Sequence, residues 1–184
     1  MKELILSLML WISNATDYPV PEPPGLLFLS TSDIKAYAYG CDDVPIPKGN
    51  EDICNSREFW DLDESSSSPM ALYNHRTKQI ILNEDLDIDT IRDQSVVMHE
   101  LVHHLQNMGG KEFEKECKGD LEKEAYLLQD KWLKETYDVD VWSTIGINEL
   151  YFIILTNCSD RMTGDPLGLP GGSSGNHGTP GLEH

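Results

Sequence analysis

Two histidines and a glutamate stand at a spacing that suits metal chemistry. Residues 99–103 read HELVH, an HExxH pattern with histidines four residues apart. On an α-helix this spacing places His99 and His103 one turn apart on the same face, so that both imidazoles can reach one metal ion. Glu100 is rotated by about 100° from His99 and stands beside the metal. That is where a general base for a zinc-bound water belongs.

A catalytic zinc site needs a third protein ligand and an open position for water. We expect Glu124 to be that ligand, because it lies on the next predicted helix at the edge of the apolar face, where a carboxylate needs a partner. A salt bridge to Lys or Arg is the alternative use of this carboxylate. Glu122, slightly further from the apolar face, is the rival ligand. Gln106 and Asn107 lie one turn after the motif and are expected to support the site.

The predicted elements place this motif inside a long helix. Apolar residues recur at helical spacing from Thr90 to Met108, with Asp89 or Thr90 as the cap and a Gly-Gly pair as the stop signal. A second helix over 121–137, capped by Asp120, carries both glutamates. Two short strands at 70–73 and 79–82 predict a β-hairpin. The remaining predicted elements are helices at 2–14, 33–39 and 149–157 and a strand at 26–29.

Charge and hydropathy exclude two classes of partner. The net charge is −18, from 14 basic and 32 acidic residues, and no Lys/Arg cluster offsets it. Such a surface repels phosphate backbones, so we expect no nucleic-acid partner. No apolar run approaches the roughly 18 residues that a membrane span needs. The composition is that of a soluble globular chain.

Four cysteines are present, and none forms a CxxC pair, which argues against a structural zinc knuckle. We expect two disulfides, Cys41–Cys54 and Cys117–Cys158. The first would close a loop that lacks periodic signals, and the second would tie the start of the glutamate-bearing helix to the last helix. Four reduced thiols in a cytosolic protein are the alternative. Two disulfides would imply an extracytoplasmic protein, either secreted or periplasmic.

The two ends of the chain differ in character. Residues 4–12 resemble the apolar part of a signal peptide, but no net positive charge precedes them, and a helical stripe favours an amphipathic helix of a domain over 1–162. Residues 163–184 form a Gly/Pro/Ser-rich tail that we expect to be disordered. Its last three residues resemble the remnant of a purification tag. We therefore expect Met1 to be an added start and a natural signal sequence to be absent.

An HExxH motif followed by a glutamate on a second helix resembles the gluzincin arrangement of zinc metallopeptidases. Residues 97–106, which read VMHELVHHLQ, together with Glu124-Ala125-Tyr126, look like a family of small, uncharacterised exported metallopeptidase-like proteins. The similarity runs from the first helix to about Cys158.

This resemblance implies a compact α+β zincin-like domain, a minimal gluzincin that is mostly helical, with a small sheet packed on the HExxH helix. It implies Zn²⁺ held by His99, His103 and Glu124, with Glu100 as the base. In minimal gluzincins the edge strand of the sheet binds the peptide substrate, and residues 79–82 match that strand by position.

The chain also departs from the thermolysin-like pattern. Leu128 stands where those enzymes carry an aspartate, four residues after the ligand glutamate. Tyr126 and Tyr151 are candidates for stabilising the oxyanion, and a buried structural role is the alternative for each.

We therefore expect zinc-dependent hydrolysis of peptide bonds in a peptide or protein substrate. The alternatives are a non-catalytic zinc-bearing binding domain with the same fold and a helical interaction module without metal.

Overall fold

The computed structural model describes residues 1–41, 69–111 and 117–158. These ranges form an α+β arrangement, as predicted. The elements are α1 (Lys2–Ala15), β1 (Gly25–Leu29), α2 (Thr31–Tyr39), β2 (Ala71–Asn74), β3 (Gln79–Asn83), α3 (Ile91–Met108), α4 (Lys118–Tyr137), α5 (Val141–Ile145) and α6 (Glu149–Thr156). The expected loop over 41–69, apart from its two end residues, lies outside the described residues, and so do Cys54 and the expected tail over 163–184. No helix in the described ranges is long and apolar enough to cross a bilayer.

A three-stranded sheet packs beside the helices, in the order β1-β3-β2. Strands β2 and β3 pair antiparallel, which confirms the predicted hairpin, and β1 pairs parallel to β3. The expectation that residues 79–82 form the edge strand is wrong, because β3 is central and β2 forms an edge of the described sheet. The burial explains this order: Ile80, Ile81 and Leu82 are all fully buried, as both faces of a central strand require.

Helix α3, which carries the HExxH motif, is the central element of the core. It begins as predicted, since the Thr90 side chain accepts a hydrogen bond from the Asp93 N–H and so caps the helix. The fully buried side chains of its apolar face include Met98, Leu101 and Leu105. Helices α1 and α4 and strand β2 pack around it. The motif is therefore held by packing on three sides.

Helix α4 begins three residues earlier than predicted, at Lys118, with Cys117 in place of Asp120 at the cap position. The extra turn packs against the end of α6. A Cβ on Gly119 would lie 2.9 Å from the Thr156 carbonyl oxygen, so only glycine permits this approach. The short helix α5 was not predicted, because its five residues are too few to show a periodic pattern.

The structure joins Cys117 to Cys158 in a disulfide with a Cα–Cα distance of 5.9 Å, as predicted. Cys41 is also disulfide-bonded, but its expected partner, Cys54, lies outside the described residues. The Cys117–Cys158 bond ties the N-cap residue of α4 to the chain just after α6. It closes a loop of 41 residues and thereby fixes the helix that carries Glu122 and Glu124.

We predict that the double substitution Cys117→Ala/Cys158→Ala lowers the free energy of unfolding by about 2–4 kcal/mol, because the unfolded chain regains the entropy of the open loop. Denaturant unfolding of the parent and the variant, both under non-reducing conditions, measures the difference. Peptide mapping without reduction checks the pairing. Equal stability of the two proteins would contradict the prediction.

Candidate metal centre

Three side chains from α3 and α4 converge on one point. The Nε2 atoms of His99 and His103 are 3.2 Å apart. The Glu122 Oε2 atom lies 3.3 Å from the first and 3.5 Å from the second. These three residues form the group of potential metal ligands found among the described residues. HExxH thus brings its two histidines together as predicted, and the rival carboxylate, Glu122, completes the cluster.

The three edges of this triangle match the size of a zinc site. Zn²⁺ binds imidazole nitrogen and carboxylate oxygen at about 2.0–2.1 Å with tetrahedral angles, which sets neighbouring ligand atoms about 3.3–3.4 Å apart. The observed separations of 3.2, 3.3 and 3.5 Å scatter around that value. The triangle therefore fits a tetrahedral ion with one position left for water.

Gln129 fixes the tautomer of His99. The amide nitrogen of Gln129 donates to the Ser95 carbonyl at 2.9 Å, and a carbonyl can only accept. The Gln129 amide oxygen must then face the Nδ1 atom of His99, which lies 3.1 Å away. His99 therefore carries its hydrogen on Nδ1 and turns the lone pair of Nε2 toward the cluster.

Gln106 acts on His103 in the same way. Its amide nitrogen donates to the Leu121 carbonyl at 3.0 Å, so its oxygen faces the Nδ1 atom of His103 at 2.9 Å. The expected supporting role of Gln106 is thus observed as a direct contact. Both histidines are fixed in the tautomer that a metal bound at Nε2 requires.

The structure places Glu124 outside the cluster. Its Oε2 atom accepts hydrogen bonds from the Tyr18 hydroxyl at 2.7 Å and from the Gln106 amide at 3.0 Å. Glu124 lines a separate cavity with Tyr18, whereas Glu122 lines the cleft that contains both histidines. The geometry therefore assigns to Glu122 the position that was expected of Glu124. The physical reason is that residues two apart on a helix lie about 200° apart around its axis.

Glu100 lies beside the cluster and accepts a hydrogen bond from strand β2. The backbone N–H of Tyr73, in β2, donates a hydrogen bond to its carboxylate. Burial raises the pKa of Glu100, and the neighbouring His99 and His103 oppose that rise. A buried carboxylate with a raised pKa can accept a proton near neutral pH, as a general base must.

A hydrogen-bond network fixes Tyr73 against α3. The Nε2 atom of His104 donates to the Glu22 carbonyl at 2.8 Å, so its Nδ1 atom accepts from the Tyr73 hydroxyl at 3.1 Å. The amide of Asn107 donates to the same hydroxyl at 3.0 Å. Asn107, expected near the histidines, thus supports the strand that holds Glu100.

The three central groups shift one another's pKa values. Burial lowers the pKa of His103, but its hydrogen bond to Glu122 and the nearby carboxylates outweigh this and raise it to about 9. Burial raises the pKa of Glu122, and its bonds to both histidines outweigh that and hold the pKa far below its usual range. The cluster without a metal ion therefore keeps a proton on His103 beside the charged Glu122 carboxylate at neutral pH.

The cleft around the cluster has a volume of about 1120 Å³ and is lined by β2, α3, α4 and α6. Pockets for small ligands have volumes of roughly 300–1,000 Å³, so this cleft has room for a segment of peptide. Tyr126 and Tyr151, the expected oxyanion candidates, both line it. The Tyr126 ring lies 4.4 Å from the His99 ring, and burial raises its pKa, so its hydroxyl stays protonated. Leu128 belongs to the core.

Comparison with known protein families gives a match for most of this site. The matching family has the description "Domain of unknown function (DUF6647)", and it matches residues 50–162, more than half of the 184-residue chain. The chain belongs to the DUF6647 family. The matched residues include the HExxH motif, Glu122 and both glutamines. No curated protein and no solved structure gives a significant match.

Sequence reasoning missed three residues that the structure brings to the cluster and to Glu100, namely Gln129, Ser95 and Tyr73. Gln129 contacts the His99 ring and is itself held by Ser95, which accepts hydrogen bonds from the Gln129 amide. The Tyr73 backbone N–H donates a hydrogen bond to Glu100. Gln129 has a signal in the sequence, because it lies seven residues after Glu122, two turns further along the same helix face. The role of Tyr73 has none, since a backbone N–H is present in every non-proline residue.

We predict that the metal-free protein loses stability as the pH rises from about 6.5 to 9. The folded pKa of His103 is raised, so its contribution is complete below its ordinary pKa of 6.5 and is lost as the pH rises through about 9. The pKa of Glu122 is lowered, so its contribution is present above 4.5 and is lost in acid. The maximum contribution of the cluster therefore lies between these limits.

Denaturant unfolding of chelator-treated protein at pH 6.5 and pH 9 tests this prediction, with His103→Gln as the control that lacks the titrating group. The parent should lose about 1–3 kcal/mol more than the control over this interval. A loss of equal size in both proteins would disprove the assignment of the proton to His103.

Proposed function

We propose that the protein binds one zinc ion through His99, His103 and Glu122 and hydrolyses peptide bonds with Glu100 as the general base. The observation that carries this proposal is the pair of glutamines behind the histidines. Gln129 and Gln106 keep the N–H of each imidazole at Nδ1 and turn both Nε2 atoms toward the same point. Two Nε2 lone pairs 3.2 Å apart repel each other unless a proton or a cation lies between them.

The donor set favours zinc over other cations. Two imidazoles and one carboxylate, with a fourth position open, are the ligands of catalytic zinc in several hydrolases. Calcium and magnesium prefer sites built from oxygen alone. When bound, the ion would supply a Lewis acid that lowers the pKa of its water to near 7 and polarises a carbonyl oxygen.

The residues of the chain supply the proton transfers. Glu100 takes a proton from the attacking water at its carboxylate and later delivers it to the leaving amine. Burial raises the pKa of Glu100, which suits a group that must hold this proton between the two steps. The Tyr73 N–H holds this carboxylate in place. The Tyr126 ring lies against the His99 ring and its hydroxyl stays neutral, so in this proposal the hydroxyl donates a hydrogen bond to the developing oxyanion.

A peptide substrate suits the walls of the cleft. Strand β2, an edge of the described sheet, lines the cleft through Ala71, Leu72 and Tyr73. An extended peptide can add to such an edge through backbone hydrogen bonds while its side chains contact the apolar wall. The edge strand assigned to substrate is thus β2.

We further propose that the protein works outside the cytoplasm. The Cys117–Cys158 disulfide supports this location, because structural disulfides persist in oxidising compartments.

The first prediction of this proposal concerns the third ligand. Glu122→Gln should weaken zinc binding by at least about 100-fold, since it replaces a charged ligand by a neutral amide. Glu124→Gln, two residues further on the same helix, is the matched control and should keep the affinity within about tenfold, as expected of an outer contact.

Zinc content after dialysis and competition with a chromophoric chelator measure both affinities. The parent should hold about one zinc per chain. If Glu124→Gln lost zinc while Glu122→Gln kept it, the ligand assignment would be reversed.

The second prediction separates catalysis from metal binding. Glu100→Gln keeps the shape of the side chain but cannot accept a proton, so it should retain zinc and lose peptide hydrolysis by about 10²–10⁴-fold. Turnover of a peptide library and zinc content are measured side by side on parent and variant. A parent that holds zinc but cleaves no peptide would identify the domain as a zinc-bearing binding module.

A further inference from the structure

We infer that Tyr18 and Glu124 are positioning residues of the metal centre, which act on His103 through Gln106. This inference rests on the proposed zinc site and goes beyond it. It assigns a role to the segment between α1 and β1, which precedes residues 50–162, the range that the family matches.

Three successive hydrogen bonds link Tyr18, Glu124, Gln106 and His103. The Tyr18 hydroxyl donates to the Glu124 carboxylate at 2.7 Å, and the Gln106 amide donates to the same oxygen at 3.0 Å. The other end of the Gln106 amide accepts from His103 at 2.9 Å. A negative charge thus lies two hydrogen bonds behind a metal ligand, where it strengthens the donation from the imidazole N–H.

The donor and acceptor of each of these hydrogen bonds are fixed. A carboxylate can only accept, so the Gln106 amide must present its nitrogen to Glu124 and its oxygen to His103. The Leu121 carbonyl demands the same orientation. Glu124 therefore helps to select the tautomer of His103. Behind His99, by contrast, the Gln129 amide donates to the carbonyl and hydroxyl of Ser95 and not to a carboxylate.

Tyr18 is held firmly enough to position Glu124. Its carbonyl accepts from the Ser13 hydroxyl at 2.7 Å, and its N–H donates to the Thr16 hydroxyl at 3.2 Å. The ring is buried against Gly109, where an added Cβ would lie 3.0 Å from the ring. The small residue after α3 lets the tyrosine reach the carboxylate. A core tyrosine needs a partner for its hydroxyl, but it does not need one that continues to a metal ligand.

The decisive variant is Tyr18→Phe, which removes one oxygen and keeps the buried ring. Its matched control is Tyr137→Phe, because the Tyr137 hydroxyl also donates a 2.7 Å hydrogen bond, to Gln94. Neither Tyr137 nor Gln94 belongs to the hydrogen bonds that link Tyr18 to His103. Both variants are compared with the parent by zinc competition and by the visible spectrum of the Co²⁺-substituted protein. Unfolding of the chelated proteins records the loss of stability separately.

We expect Tyr18→Phe to weaken zinc binding by about tenfold and to change the Co²⁺ spectrum, while Tyr137→Phe changes neither. Glu124→Ala should weaken binding by about 10–100-fold, more than Glu124→Gln, whose amide oxygen can still accept both hydrogen bonds. If Tyr18→Phe matches Tyr137→Phe in affinity and in spectrum while the parent binds zinc, the positioning role is overturned and the zinc site stands. A parent that binds neither zinc nor cobalt would instead overturn the proposed function.

Discussion

The structure of the site depends on one constraint: each HExxH histidine has its ring fixed by a glutamine that has no freedom to turn. Gln129 and Gln106 each donate to a backbone carbonyl, which leaves only their oxygens for His99 and His103. The imidazoles must then direct their lone pairs at each other, an arrangement that is unfavourable without a proton or a cation. A carboxylate on α4 completes the cluster. The folded chain thus holds three potential ligands at the spacing that the proposed zinc site requires.

The helix that carries the motif is itself held rigidly by its buried face. One face of α3 packs into the core through residues such as Met98 and Leu101, and the other presents the histidines to the cleft. The packing fixes the backbone, and the glutamines fix the rings. The disulfide at Cys117 holds the start of α4 and so fixes the approach of Glu122. The packing, the glutamines and the disulfide each reduce the conformational entropy that the proposed ligands would lose on binding a metal.

Much of this arrangement could be predicted from the sequence, because it follows from helical periodicity. The HExxH helix and the Cys117–Cys158 pair were predicted, and the cap is Thr90, one of the two predicted candidates. The choice between Glu122 and Glu124 was not predicted, since both flank the apolar face of α4 and a helical wheel does not say which edge faces the histidines. Tertiary packing decides that question: one edge of α4 faces the histidines of α3, and the other faces Tyr18 and Gln106. The order of the sheet was mistaken for a related reason, because strand adjacency depends on contacts distant in sequence.

The central claim is that two imidazoles and one carboxylate hold a tetrahedral zinc ion. X-ray absorption at the zinc edge of the loaded protein tests it most directly. The predicted spectrum shows four nitrogen or oxygen neighbours at about 2.0–2.1 Å, with the outer scattering of two imidazole rings, and loses one neighbour in Glu122→Gln. A sulfur ligand, a single imidazole or an octahedral shell of oxygens would contradict the claim.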